Sequence, residues 1–172
     1  MNIILQNFLL QLGSLVLGVS GGFCLSQFAQ EELSLYKKHI PIVFQFLSFT
    51  TLLAPLLFSL YIADFKKVVP FFVLFFVYVL LFWKTRDKKD DLSSGFLYIA
   101  PLTLFLASGN KEVLFLTLLL LLVTVILFVL SLFPSFEKMN LLKKCTFLAQ
   151  EFSGFFFMTS LLYGFTFLLT FL

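Results

Sequence analysis

Apolar residues in this chain come in long continuous runs broken by short polar punctuation, at residues 4–29, 41–63, 68–83, 92–109, 113–133 and 152–172. A helix rises about 1.5 Å per residue, so roughly 20 apolar residues cross a hydrocarbon core about 30 Å thick. The runs predict six membrane-crossing helices, or five if the shortest, 68–83, does not span. Phe65 and the snorkelling stems of Lys66 and Lys67 would lengthen that run. Strands of a membrane barrel need apolar-out, polar-in alternation, which a run such as 115–130 lacks. Lipid then leaves helices as the spanning element. The fold class is therefore all-α, a polytopic transmembrane helical bundle forming a single domain over residues 1–172. The longest connection, 134–151, has room for a short interfacial helix and no soluble domain.

The punctuation supports these bounds. Pro41 and Pro70 fall in the first turn of the second and third helices, where a missing N–H costs little, and Pro134 falls where the fifth should stop. Asp90 and Asp91 precede the fourth helix as capping residues beside its positive dipole end. Pro55 and Pro101 lie inside apolar runs and predict kinks.

Composition sharpens the class. The 172 residues are 60% hydrophobic, 19% aromatic with 27 Phe, and only 12% charged; their mean hydropathy is +1.06. A water-soluble domain carries about twice that share of charge. A net charge of +3 excludes a strongly basic nucleic-acid binder. With six crossings, Lys66, Lys67 and Lys111 share one side with both termini. Lys37, Lys38, Lys84, Arg86, Lys88, Lys89, Lys138, Lys143 and Lys144 face the other. The positive-inside rule then places the nine in the cytoplasm and both termini outside. The expected location is the plasma (cytoplasmic) membrane, with the bilayer as first partner. No charged side chain precedes residue 31, so the first helix lacks the basic n-region of a cleaved signal peptide and reads as a retained crossing.

The first helix carries a ladder of small residues, Ser14, Gly18, Gly22 and Ser26, which lets two backbones approach closely. Asn7 and Gln11 extend nearly the same face. The ladder predicts helix packing, within the chain rather than between chains, with Gly154, Ser160 and Gly164 of the last helix as a receiving face.

Chemistry is mostly excluded. Gly18-Val19-Ser20-Gly21 has the GxSG form of intramembrane serine proteases, but those pair the serine with a membrane-embedded His. The one His here is His39, in the first connection. Glu31 and Glu32 are similar to the paired glutamates of intramembrane metalloproteases, yet one His cannot complete a metal site. They read as a helix end entering the headgroup zone. Cys24 and Cys145 have neither metal-knuckle nor redox-pair spacing, and Gly21-Gly22 is not followed by the Lys-Ser or Lys-Thr of a phosphate loop. No cofactor or metal is expected. The apolar runs hold no Asp, Glu, Lys, Arg or His away from their ends, which disfavours ion coupling. Neutral polarity remains: Asn7, Gln11, Gln27, Gln45 and Gln150, with Glu151, should either hydrogen-bond between helices or, together with Ser48, Thr51 and Ser59, line a cavity. Two readings follow. The first is a non-enzymatic structural or accessory subunit packing against other integral membrane proteins. The alternative is a small-solute or lipid-binding transport module dependent on partner subunits.

Overall fold

The computed structural model describes residues 2–36, 38–61, 65–85, 91–108, 110–132 and 139–169. These fold into seven helices with no strand among the described residues: α1 (Asn2–Phe28), α2 (Gln30–Tyr36), α3 (Ile40–Tyr61), α4 (Phe65–Thr85), α5 (Asp91–Ala107), α6 (Lys111–Ser131) and α7 (Leu141–Leu169). Three of them are long and apolar enough to cross a membrane, over Leu5–Phe28, Ile40–Phe58 and Lys111–Ser131.

Most of the apolar runs coincide with helices, and the differences have local causes. The third run is part of a helix of 21 residues, Phe65–Thr85, so Pro70 lies beyond its first turn and leaves the Lys66 carbonyl without its usual N–H partner. The last run begins eleven residues earlier than hydropathy indicates. Leu141–Leu169 is one helix of 29 residues, and what reads as a separate interfacial stretch is its polar first third. Backbone hydrogen bonding is indifferent to Lys143, Lys144 and Glu151; only the hydropathy is interrupted. Glu31 and Glu32 do not end the first helix. They open α2 after a break at Ala29, where two carboxylates favour a helix N-terminus. Asp91 is the first residue of α5, while Asp90 and Pro134 lie outside the described residues. Asn110 caps α6: its side-chain oxygen accepts from the amides of Glu112, at 2.9 Å, and Val113.

α6 is the most enclosed of the three candidate crossings, packed between α1 and α3 and touching α5; α4 joins α3 to α5, and α7 closes on α5 and more thinly on α1. Directions follow from contacts. Gly18 meets Leu122 and Val125 and Gly22 meets Ile126 and Val129, so α1 and α6 run parallel. Phe44 meets Phe128 and Thr51 meets Thr124, so α3 and α6 are antiparallel. The core is strongly aromatic. A continuous chain of rings runs Phe152–Phe128–Phe44–Phe96–Tyr78–Phe49 through five helices, with neighbouring centroids 5.1–6.3 Å apart and mostly edge-to-face. That geometry sets each ring's positive edge against its neighbour's negative face. A second small core seats Leu33 of α2 on Ile40 and Leu130.

Candidate functional site

The bundle presents three places where chemistry could occur: the α1–α6 seam, the buried polar groups, and a groove between α1 and α7.

The seam is built on glycine. A Cβ on Gly18 would stand 2.8 Å from Val125 Cγ1, and one on Gly22 would stand 2.8 Å from Val129 Cβ and 3.0 Å from the Ile126 carbonyl oxygen. Both positions therefore require a residue without a side chain. Ser26 completes this face, fully buried, its hydroxyl donating to the Phe23 carbonyl at 2.7 Å. Ser14 is half-buried and instead lines a notch on the outward face of α1. The surface that receives α1 is α6 rather than the small residues of the last helix. Gly164 is exposed, and a Cβ there would meet nothing within 4 Å.

Most of the buried hydroxyls are committed to the fold. Ser48 hydrogen-bonds across helices to Tyr78 at 2.6 Å, and Thr51 to Thr124 at 2.9 Å. Ser48 also donates to the Gln45 carbonyl, so the Tyr78 hydroxyl donates across that joint; of Thr51 and Thr124 one donates across to the other, and the hydroxyl that accepts donates to the Leu47 or Leu120 carbonyl of its own helix. Thr103, Thr117 and Thr159 donate to the carbonyls of Ile99, Val113 and Phe155. Back-bonding of this kind lets a hydroxyl sit in an apolar interior without a ligand.

The amides are scattered. Gln11 is fully buried, and its Nε2 donates to the Tyr163 hydroxyl of α7, enclosed by edge-to-face contacts of that ring with Phe8 and Phe105. Its Oε1 is buried without a partner. Exchanging the amide's two ends would only move the deficit to its N–H groups. Asn7 and Gln45 are half-buried, and Gln27 and Gln150 exposed; Glu151 is half-buried and has an interaction partner. α6 stands between α1 and α3, so these groups do not share one cavity. Removing the phenol with Tyr163→Phe should leave Gln11 wholly unpaired and lower stability by about 1 kcal/mol, the scale of buried hydrogen bonds between membrane helices. Adding Gln11→Leu should restore the loss, because an apolar pair leaves nothing unsatisfied. A double-mutant cycle by detergent unfolding measures both.

Sequence reasoning picked out Ser48, Thr51 and Gln11 but missed their partners Tyr78, Thr124 and Tyr163. Their signal is weak: single hydroxyls in apolar runs, with no local spacing that links one helix to another. Ser20, the serine of the GxSG stretch, is exposed, and its hydroxyl donates to the Val16 and Leu17 carbonyls. Among the described residues no three or more His, Cys, Asp or Glu side chains gather to hold a metal.

The third feature is a cavity of about 330 Å³. It is lined by Leu15, Val16, Val19, Ser20 and Phe23 of α1 and by Cys145, Leu148, Ala149, Phe152 and Phe156 of α7, where the two helices diverge. Fold and site together define an all-helical bundle with three helices fit to cross a bilayer. No protein-family model, no curated protein and no solved structure matches the chain.

Proposed function

We propose that this chain is a non-enzymatic, multi-pass integral membrane protein that acts as a structural or accessory subunit beside other membrane proteins. All the helices but α2 are taken as crossings, with the basic connections in the cytoplasm and both termini outside. The observation that carries the reading is the division of α1 into two faces. One is locked onto α6 through Gly18 and Gly22. The other presents Leu5, Leu9, Leu10 and Leu17, all at least 44% exposed, around a notch floored by Gly13 and Ser14. A Cβ on Gly13 would meet nothing within 4 Å, so this small residue serves no contact inside the chain. A notch between leucines suits the ridge of a neighbouring helix. The committed hydroxyls of the interior support a scaffold over a catalyst. The α1–α7 groove favours lipid binding as the second reading.

Photo-reactive residues placed at Leu9 and Leu17 in intact membranes test the proposal. They should cross-link to another membrane protein at least several times more efficiently than the same probe at Ile42 or Phe46, which are equally outward on α3. Cross-links to lipid alone from all four positions would sink the accessory reading.

A further inference from the structure

We infer that the groove between α1 and α7 binds one acyl chain of an anionic phospholipid, with the headgroup phosphate held at Lys144. The inference rests on the membrane placement proposed above and goes beyond it to a specific ligand.

Three observations meet at this place. The first is shape. α1 and α7 touch closely where Gln11 meets Tyr163, but towards the end of α1 and the start of α7 they part around the cavity. Farther along α1 corresponds to earlier along α7, so the helices are antiparallel and the groove follows both axes. Its α7 wall covers residues 145–156, about 17 Å at 1.5 Å per residue, or roughly the depth of one leaflet. The second is surface chemistry. Leucine, valine, alanine and phenylalanine form nearly the whole lining, and Ser20 on the rim has its hydroxyl satisfied by its own helix. Such a lining offers a lipid tail dispersion contacts and asks for no hydrogen bond. The third is charge at one end only. Lys144 is half-buried and lies one turn before Leu148, which borders the groove, so it flanks the edge of the groove's α7 wall at the end nearest the start of α7. The positive end of the α7 dipole points the same way, and its first turn carries no acidic residue. Lys143 is exposed and leaves α7 on the opposite face, with Phe147 and Gln150.

That difference between two adjacent lysines separates a site from a charged surface. A diffuse attraction of headgroups to a basic membrane surface weighs each lysine alike, at about fivefold in binding. A site in the groove depends on Lys144 and not on Lys143. A protein helix seated here would instead have to bring its own acid to Lys144.

The test is competition between phosphatidylglycerol and phosphatidylcholine of identical acyl chains for the full-length protein in mild detergent, read by native mass spectrometry. The wild type should retain one phosphatidylglycerol in preference. Lys144→Gln should reduce that preference about fivefold, and Lys143→Gln should change it less than twofold. Ser20→Phe and Val16→Phe, which fill the groove from its α1 side at two levels one turn apart, should each lower retention of both lipids by tenfold or more. Equal effects of the two lysine substitutions, retention that survives both filling variants, or a dimer in place of the lipid-bound monomer would overturn the proposal. Lys38→Cys and Lys111→Cys, each in a chain with Cys24 and Cys145 replaced by Ser, are labelled in right-side-out vesicles as the control on membrane placement. Labelling from opposite sides together with no lipid preference rejects the groove site alone; labelling from one side rejects the placement beneath it.

Discussion

Replacing Gly22 by alanine is expected to destabilise the protein by about 2–3 kcal/mol, the upper part of the usual range for overpacking. The new methyl group would stand 2.8 Å from Val129 Cβ, 3.0 Å from the Ile126 carbonyl oxygen and 3.2 Å from Ile126 Cα. Two of these three atoms are α6 backbone, which no rotamer change can move. The helices must separate, and the whole seam loosens with them. Gly18→Ala should behave alike, since Leu122's carbonyl oxygen stands at 3.2 Å behind the Val125 side chain. Two neighbouring glycines provide the contrast. At Gly21 the nearest atoms are 3.8 Å away, and at Gly13 nothing lies within 4 Å. There the substitution should be neutral or gain a few tenths of a kcal/mol, up to the roughly 1 kcal/mol by which alanine exceeds glycine in helix propensity. Detergent unfolding of the four variants checks the ordering; equal losses at all four would mean that α1 does not rest on α6.

Phe128→Ala should cost about 3 kcal/mol. Its ring is fully buried and sits at the centre of the aromatic chain, 5.5 Å from Phe44 and 5.4 Å from Phe152. The figure is the low end of the range for emptying a phenylalanine site in a water-soluble core. In lipid an exposed ring meets hydrocarbon rather than water, so what is lost is packing and the cavity left behind. Phe128→Leu should recover much of it by volume. Phe115, 70% exposed on the same helix, is the comparison, and Phe115→Ala should cost under about 0.5 kcal/mol.

The apolar runs were legible because crossing a bilayer is a local requirement: length and hydropathy are properties of one segment. The small-residue ladder was legible as a close approach for the same reason. Its partner was not, because a glycine records the nearness of a neighbour but nothing of its identity. Gly154, Ser160 and Gly164 look as suitable as the Val125 and Val129 flank of α6, yet the flank is where α1 rests. The start of α7 was hidden by Lys143, Lys144 and Glu151, which break a hydropathy run and leave a helix intact. Gln11 stood out as a polar residue in lipid, but Tyr163 lies at the far end of the chain and no periodicity joins the two. The groove is a property of two diverging axes and has no trace in either helix alone.

The parallel seating of α1 on α6 sets an order of assembly. Helices α2 to α5 are synthesised between them, so the glycine face of α1 enters the membrane long before the surface it fits exists. Closing so long a loop adds little entropy cost, since that cost grows only with the logarithm of length. Timing is what changes: domains form as the chain emerges, and unmatched surfaces are exposed in the interval. A ribosome-bound chain halted before Lys111 would hold an open Gly18–Gly22 face, available to any helix already in the bilayer. The seam that locks the finished bundle thus forms only once α6 has emerged, and the contact of Gln11 with Tyr163 of α7 comes later still.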